Sequence, residues 1–217
     1  MRIYRRILLA STLAASLFAG ATVHASQLEQ IKKKGELVVG ILGTDEPNSF
    51  IDPKTREYIG YEVDLAKEVA AKMGVKPVFK QVAVAARIPE LQQGRIDMLA
   101  ASLTHNKERE AQIDFSLTHL LTGSKVMVKK SSNITDVKQL AGKKALTVKG
   151  GTQGPNLLRA VPNAEIVTFE TSQQAFQALQ QGKGQAYLND EVSLLSDVSK
   201  LGPAGATYTI LPQNLSV

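Results

Sequence analysis

The feature that most restricts the fold is a pattern written twice. Leu91-Gln92-Gln93-Gly94-Arg95-Ile96-Asp97-Met98-Leu99-Ala100-Ala101-Ser102 has a second version in Leu179-Gln180-Gln181-Gly182-Lys183-Gly184-Gln185-Ala186-Tyr187-Leu188-Asn189-Asp190. Each reads as a helix end, a glycine that stops it and an apolar strand. Each finishes in polar residues that can face a common cleft. Two similarly built α/β lobes with a site between them are the natural inference, because ligands of open α/β sheets sit beyond the carboxyl ends of strands; coincidence is the alternative that one short repeat leaves open.

The first copy runs on into Thr104-His105-Asn106-Lys107-Glu108-Arg109. Ile96 to Ala101 reads as a buried strand. Asn106 stands as a helix N-cap, with Glu108 and Glu110 in the first turn. Free backbone N–H groups at such a joint suit an anion. Ser102 and Thr104 add hydroxyls, and Arg109 adds a planar fork matched to a carboxylate. The arrangement suits the α-carboxylate of an amino acid. An ordinary strand–turn–helix joint with a surface arginine is the alternative that local chemistry leaves open. Ahead of the second copy lies Lys149-Gly150-Gly151-Thr152-Gln153-Gly154-Pro155, a Gly-rich loop opening a helix with Pro155 in its first turn. It is a second anion seat or simply a tight turn; the Gly-Lys-Ser/Thr ending of a phosphate loop is missing.

Met1 to Ala25 reads as a signal peptide. Arg2, Arg5 and Arg6 precede an apolar run, Ile7 to Ala21, too short for a comfortable membrane span, and Val23-His24-Ala25 suits cleavage before Ser26. Its loss lowers the formal charge from +6 to +3, with Lys and Glu interspersed, so nucleic acid is not an expected partner. The chain has no Cys, which excludes disulfides, thiolate metal sites and a lipid anchor on cysteine. His105 and His119 lack metal-ligand spacing, and neither a metal nor a cofactor is expected.

Ser26 to Gly35 is expected as a short helix and Glu36 to Ile41 as a strand, followed by a loop over Asp45 to Phe50. Leu65, Ala66, Val69, Ala70 and Met73 share one helix face, and Gly74 ends that helix. Val75 to Val84, Lys144 to Val148 and Glu165 to Phe169 read as strands. A short helix from Ile134 to Gly142 is capped by Thr135 or Asp136. Ser172 is the expected cap of the next helix, and Asp190 that of Glu191 to Lys200.

Ser102, Thr104 and Arg109 resemble the ligand motif of the periplasmic amino-acid-binding proteins of ABC importers, the polar amino-acid (family 3) solute-binding proteins. The likeness runs from about Leu28 to the C-terminus. It includes Gly60-Tyr61-Glu62-Val63-Asp64-Leu65-Ala66-Lys67, similar to the family's G-x-x-x-D-L-A-K segment. The resemblance implies an α/β, two-lobe periplasmic-binding-protein fold: lobe 1 over 26–123, an inter-lobe crossing at 124–130 and lobe 2 over 131–211. Residues 212–217 would begin a return crossing that family members continue, so the C-terminal segment is expected to be missing.

The implied protein is a non-enzymatic periplasmic monomer that closes about a hinge on a polar, acidic amino acid and delivers it to an inner-membrane ABC permease. By the same resemblance, Ser102, Thr104 and Arg109 meet the ligand carboxylate, helped by Thr152 of a loop similar to the family's G-T-T loop. Gln153 stands there in place of a second Thr, and Lys149 is a further candidate. Asp190 takes the ammonium, or merely caps its helix. Arg87, in Ala86-Arg87-Ile88-Pro89, resembles the Asn-Arg-Ile-Pro motif of the acidic branch and would meet a side-chain acid; a solvated arginine at a helix start is the alternative. Asp45 and Phe50 follow from the loop after the first strand, with plain core as the alternative for Phe50. A dehydratase on the same scaffold, acting on a small carboxylic acid, is the rival function; Glu46, Glu191 and His105 are its candidate acid–base groups.

Overall fold

The structure, a computed structural model, describes residues 26–216. The expected signal peptide lies outside the described residues.

The first lobe opens with α1 (Gln27–Lys34). Ser26 caps it in a reciprocal bond pair with Glu29, and Gly35 ends it in the left-handed conformation. Then come β1 (Glu36–Ile41), β2 (Thr44–Asp45), β3 (Ser49–Ile51), β4 (Tyr58–Ile59), α2 (Tyr61–Met73) and β5 (Lys76–Gln81). α3 (Arg87–Gln92), β6 (Met98–Leu99) and α4 (Lys107–Glu110) complete the lobe. β1 lies between β5 and β6, parallel to both. The expected loop at Asp45–Phe50 is a hairpin instead: β2, β3 and β4 form a small antiparallel sheet. α2 lays Val63, Ala66 and Ala70 against Leu37, Val39 and Ile41 of β1. Its entry needs a glycine. Gly60 has φ +122°, and a Cβ there would lie 2.5 Å from the Asn48 carbonyl oxygen.

An irregular stretch, 114–123, leads to the second lobe. Its elements are β7 (Ser124–Lys129), β8 (Lys144–Val148), α5 (Gln153–Ala160), β9 (Glu165–Phe169), α6 (Ser172–Gln180), β10 (Ala186–Asp190), α7 (Glu191–Lys200) and β11 (Tyr208–Ile210). The sheet order is β11-β7-β10-β8-β9. β7 runs antiparallel to β10 and β11, while β8 is parallel to β10 and β9.

The expected crossing at 124–130 is corrected here. Its alternating sequence suggested a strand between lobes, yet Ser124 to Val128 are buried and β7 is an interior strand of the second sheet. Both faces of that sheet are covered. Val126, Leu140, Leu157 and Leu188 form one apolar layer, and Met127, Leu146, Leu179 and Tyr187 the other. Residues 212–216 lie against the start of β7, where Lys125 Nζ donates to the Pro212 carbonyl at 2.7 Å and Leu215 N–H to that of Ser124 at 2.9 Å.

Two local expectations shift by small amounts. The helix at 134–142 is a single 3₁₀ turn, Val137–Leu140, with Asp136 as its cap. The cap of α6 is Thr171, whose Oγ1 accepts from Gln174 N–H, rather than Ser172.

Candidate functional site: the cleft between the lobes

The two copies of the repeated pattern end in one cavity. The first lobe lines it with Asp45, Arg87, Ser102, Thr104 and Arg109, beside Leu42 and Val84. The second contributes Gly151, Thr152, Gln153, Ser172, Asn189 and Asp190, beside Val148. Its volume is about 30 Å3, enough for very few waters, since one water needs roughly 10–15 Å3. Side chains from the two walls nearly fill it.

Arg109 is held by α4. Asn106 caps that helix as expected, its Oδ1 accepting the Arg109 N–H at 2.9 Å. The guanidinium donates through Nη1 to the Thr104 carbonyl at 3.0 Å and through Nη2 across the cleft to the Gly150 carbonyl at 3.1 Å. Burial pulls its pKa below the usual arginine value, and a guanidinium keeps its charge there.

Arg87 is more deeply placed and only 3 % exposed. Its Nε donates to the Val84 carbonyl at 2.8 Å, its Nη1 to the carbonyls of Ala101 and Ser102 at 2.8 Å each, and its Nη2 to Gly150 at 3.4 Å. This is not the solvated arginine that local chemistry left open. The expected partner, a ligand's side-chain acid, meets a guanidinium already committed to backbone carbonyls. Burial lowers its pKa to about 10, with Arg109 adding repulsion.

Ser102 stands where β6 breaks off. Its φ of +50° is left-handed, unfavourable for a non-glycine residue. Two buried acids hold it there. Its N–H donates to Glu62 Oε1 at 2.6 Å, and its hydroxyl donates to Asp45 Oδ2 at 2.7 Å. Asp45 also accepts from Asn48 Nδ2 and, across the cleft, from the Ser193 hydroxyl, both at 3.0 Å. Glu62 is pushed up to about 7, chiefly by burial; the Ser102 N–H opposes that rise and Asp45 adds to it.

In the second lobe Thr152 takes the N-cap position of α5 without a side-chain capping bond. Gln153 is buried and donates through Nε2 to Asp190 Oδ1 at 3.0 Å. Asp190 stands at the N-cap of α7 and makes no side-chain cap bond. Its carboxyl lines the cavity instead. Burial pushes its pKa up, partly opposed by the Gln153 amide.

Further bonds hold the lobes together. Both arginines share the Gly150 carbonyl, and Lys200 pairs with Glu46 at 2.8 Å. Gly150 is left-handed, and a Cβ on it would come within 2.6 Å of Ala85 Cα.

Lys149 is exposed, Phe50 is a partner of Thr44 and Ile59 in the small sheet, and neither lines the cavity. The candidate acid–base groups are also elsewhere. Glu46 pairs with Lys200, His105 stacks on Phe115 at 4.5 Å and faces Glu110, and Glu191 does not line the cavity. Among the described residues no cluster of three His, Asp or Glu is set to hold a metal.

Sequence reasoning passed over Glu62 and Ser193, and also Ser172 and Asn189 of the cavity wall. A signal for Glu62 was present. It lies four residues before Ala66 and eight before Ala70, on the face that α2 buries.

The chain matches the bacterial extracellular solute-binding proteins, family 3, over residues 37–197. It is 35% identical over 193 residues to the glutamine-binding protein of Geobacillus stearothermophilus, covering 87% of this chain and 72% of that protein. It is 29% identical over 215 residues to the L-glutamate/L-aspartate-binding protein of Pseudomonas aeruginosa, covering 92% and 70%. The arginine-bound form of truncated ArgBP from T. maritima superposes with a TM-score of 0.80 at 27% identity, over 87% of each chain. The chain belongs to family 3 of the bacterial extracellular solute-binding proteins.

Proposed function

We propose that this family 3 protein captures a polar α-amino acid in the periplasm and delivers it to an ABC permease of the inner membrane. One observation carries the reading: a cation from the first lobe, Arg109, and a carboxylate from the second, Asp190, line the same cavity. That pair is complementary to a zwitterion. Arg109, with Ser102 and Thr104, takes the carboxylate, helped by Thr152; Asp190 takes the ammonium. A desolvated ammonium needs a charged partner, and a buried carboxylate supplies it.

Capture begins with the lobes parted. Opening frees the Gly150 carbonyl from both arginines and the Ser193 hydroxyl from Asp45. The ligand's own carboxylate then replaces a neutral carbonyl on Arg109, a stronger, charge-assisted bond. Ligand contacts to both lobes favour the closed state, so binding shifts the hinge equilibrium. Arg87 holds the Ala101–Ser102 backbone in shape, and a preference for acidic side chains has no free guanidinium behind it. The names of the relatives support amino-acid capture, and the positions of Glu46, Glu191 and His105 give a dehydratase no acid–base pair.

Calorimetric titration of the parent and of Arg109→Ala with the common amino acids tests this. The parent is expected to bind at least one polar amino acid one-to-one. Arg109→Ala is expected to weaken that binding by about a hundredfold, as truncating a buried charge partner does. Equal affinity in the two proteins would sink the carboxylate assignment.

A further inference from the structure

A second cavity of about 280 Å3 adjoins the seat and shares Leu42, Val84 and Ser172 with it. We propose that this chamber receives the ligand's side chain and that Glu170 selects against acidic ones. The inference rests on the capture reading above and adds the class of side chain.

The charges of the seat, Arg109 and Asp190, are matched to the two groups every amino acid shares. Discrimination needs a further wall, and the seat is too small to house one. The adjoining chamber has the room, close to the lower end of the range for ligand pockets, roughly 300–1,000 Å3. Leu42 and Val84 offer apolar surface to the methylenes of a side chain. Thr44 and Gln81 add a hydroxyl and an amide.

Among the described residues that line the chamber, Glu170 is the one with a formal charge. Its backbone is fixed at the entry to α6, where its N–H donates to Gln174 Oε1 at 3.2 Å. Its carboxylate has no ion-pair or hydrogen-bond partner among the described residues. A side-chain carboxylate entering the chamber would face this charge with no cation to balance it. A guanidinium, an ammonium or an amide would find an acceptor instead.

The experiment is calorimetry with arginine, glutamine and glutamate on the parent, Glu170→Gln and Glu170→Lys. Glu170 is exposed, so both variants should fold, and their thermal melts should match the parent's. The parent is expected to bind arginine or glutamine at least tenfold more tightly than glutamate. Glu170→Gln should narrow that ratio, and Glu170→Lys should reverse the order of arginine and glutamate. A parent that prefers glutamate, or ratios that Glu170→Lys leaves unchanged, would overturn the chamber assignment while capture stands. Failure of all three amino acids to bind the parent would overturn the chamber assignment, and the capture reading falls with it only if none of the other common amino acids binds either.

Discussion

The two copies of the repeated pattern begin alike and end differently. Both helices close in the same way. Gly94 and Gly182 are left-handed, Arg95 N–H reaches back to the Glu90 carbonyl at 3.0 Å, and Lys183 N–H to that of Ala178 at 2.9 Å. The strands then part company. β6 pairs over two residues, against β1 alone, at the edge of its sheet. β10 is five residues long, interior, and buried from Ala186 to Asn189. An edge position leaves backbone groups unpaired, and the first copy satisfies them with charge. Arg87 takes the carbonyls of Ala101 and Ser102, and Glu62 takes the Ser102 N–H. The second copy lies between β7 and β8, and its last N–H, that of Asp190, donates to the neutral Asn189 Oδ1 at 2.9 Å. One pattern thus yields a charged half-site on an edge and a neutral platform carrying a single carboxylate.

That contrast can be broken most forcefully in the second lobe. Leu188→Ala empties a fully buried site on an interior strand and is expected to cost about 3 kcal/mol. Leu99→Ala, on the half-buried edge strand, should cost roughly 1 kcal/mol. Urea denaturation of the two variants measures both; equal losses would remove the distinction between edge and centre.

The charges of the first lobe should appear as a pH dependence. Glu62 keeps its proton to about pH 7 when folded, against 4.5 for a free glutamate. Between those values the folded state holds a proton that the unfolded chain has lost, so its contribution to stability falls as pH rises. Glu62→Gln lacks this loss. Its stability relative to the parent should rise by about 3 kcal/mol from pH 4 to pH 8. A difference independent of pH would mean that Glu62 is ionised throughout. Ser102→Ala sharpens the same point on a smaller scale. It keeps the left-handed backbone, removes the hydroxyl bond to Asp45, and should cost about 1 kcal/mol in a denaturant titration.

Much of this was legible because it is local. Gly35, Gly74, Gly94 and Gly182 end helices, and Asn106 begins one, through bonds within a few residues. The repeat announced that Ser102 and Asp190 would end equivalent segments, and they share a cavity. What escaped is non-local. Ile96 to Ala101 has the apolar content of a full strand, yet strand length depends on a partner, and β1 offers pairing only at Val39 and Gly40. Of the carbonyls that hold Arg87, the one on Val84 is three residues away, but the others lie 14, 15 and 63 residues away, and nothing nearby in sequence reveals them. β7 alternates like a half-exposed strand, yet Ser124 and Lys125 are buried against the segment at 212–216.

The most direct test of the two-lobe seat removes one charge from the protein and its partner from the ligand. Glutamine and its deaminated analogue, glutaramic acid, would be titrated calorimetrically into the parent and into Asp190→Asn. The account predicts that Asp190→Asn weakens glutamine by about a hundredfold and leaves the deaminated analogue nearly unaffected. Glutamine affinity of the parent should also fall as pH falls, and its advantage over Asp190→Asn shrink, because burial raises the Asp190 pKa and a proton competes with the ammonium. Equal losses for both ligands would contradict the assignment of Asp190 to the ammonium, and with it the clamp between lobes.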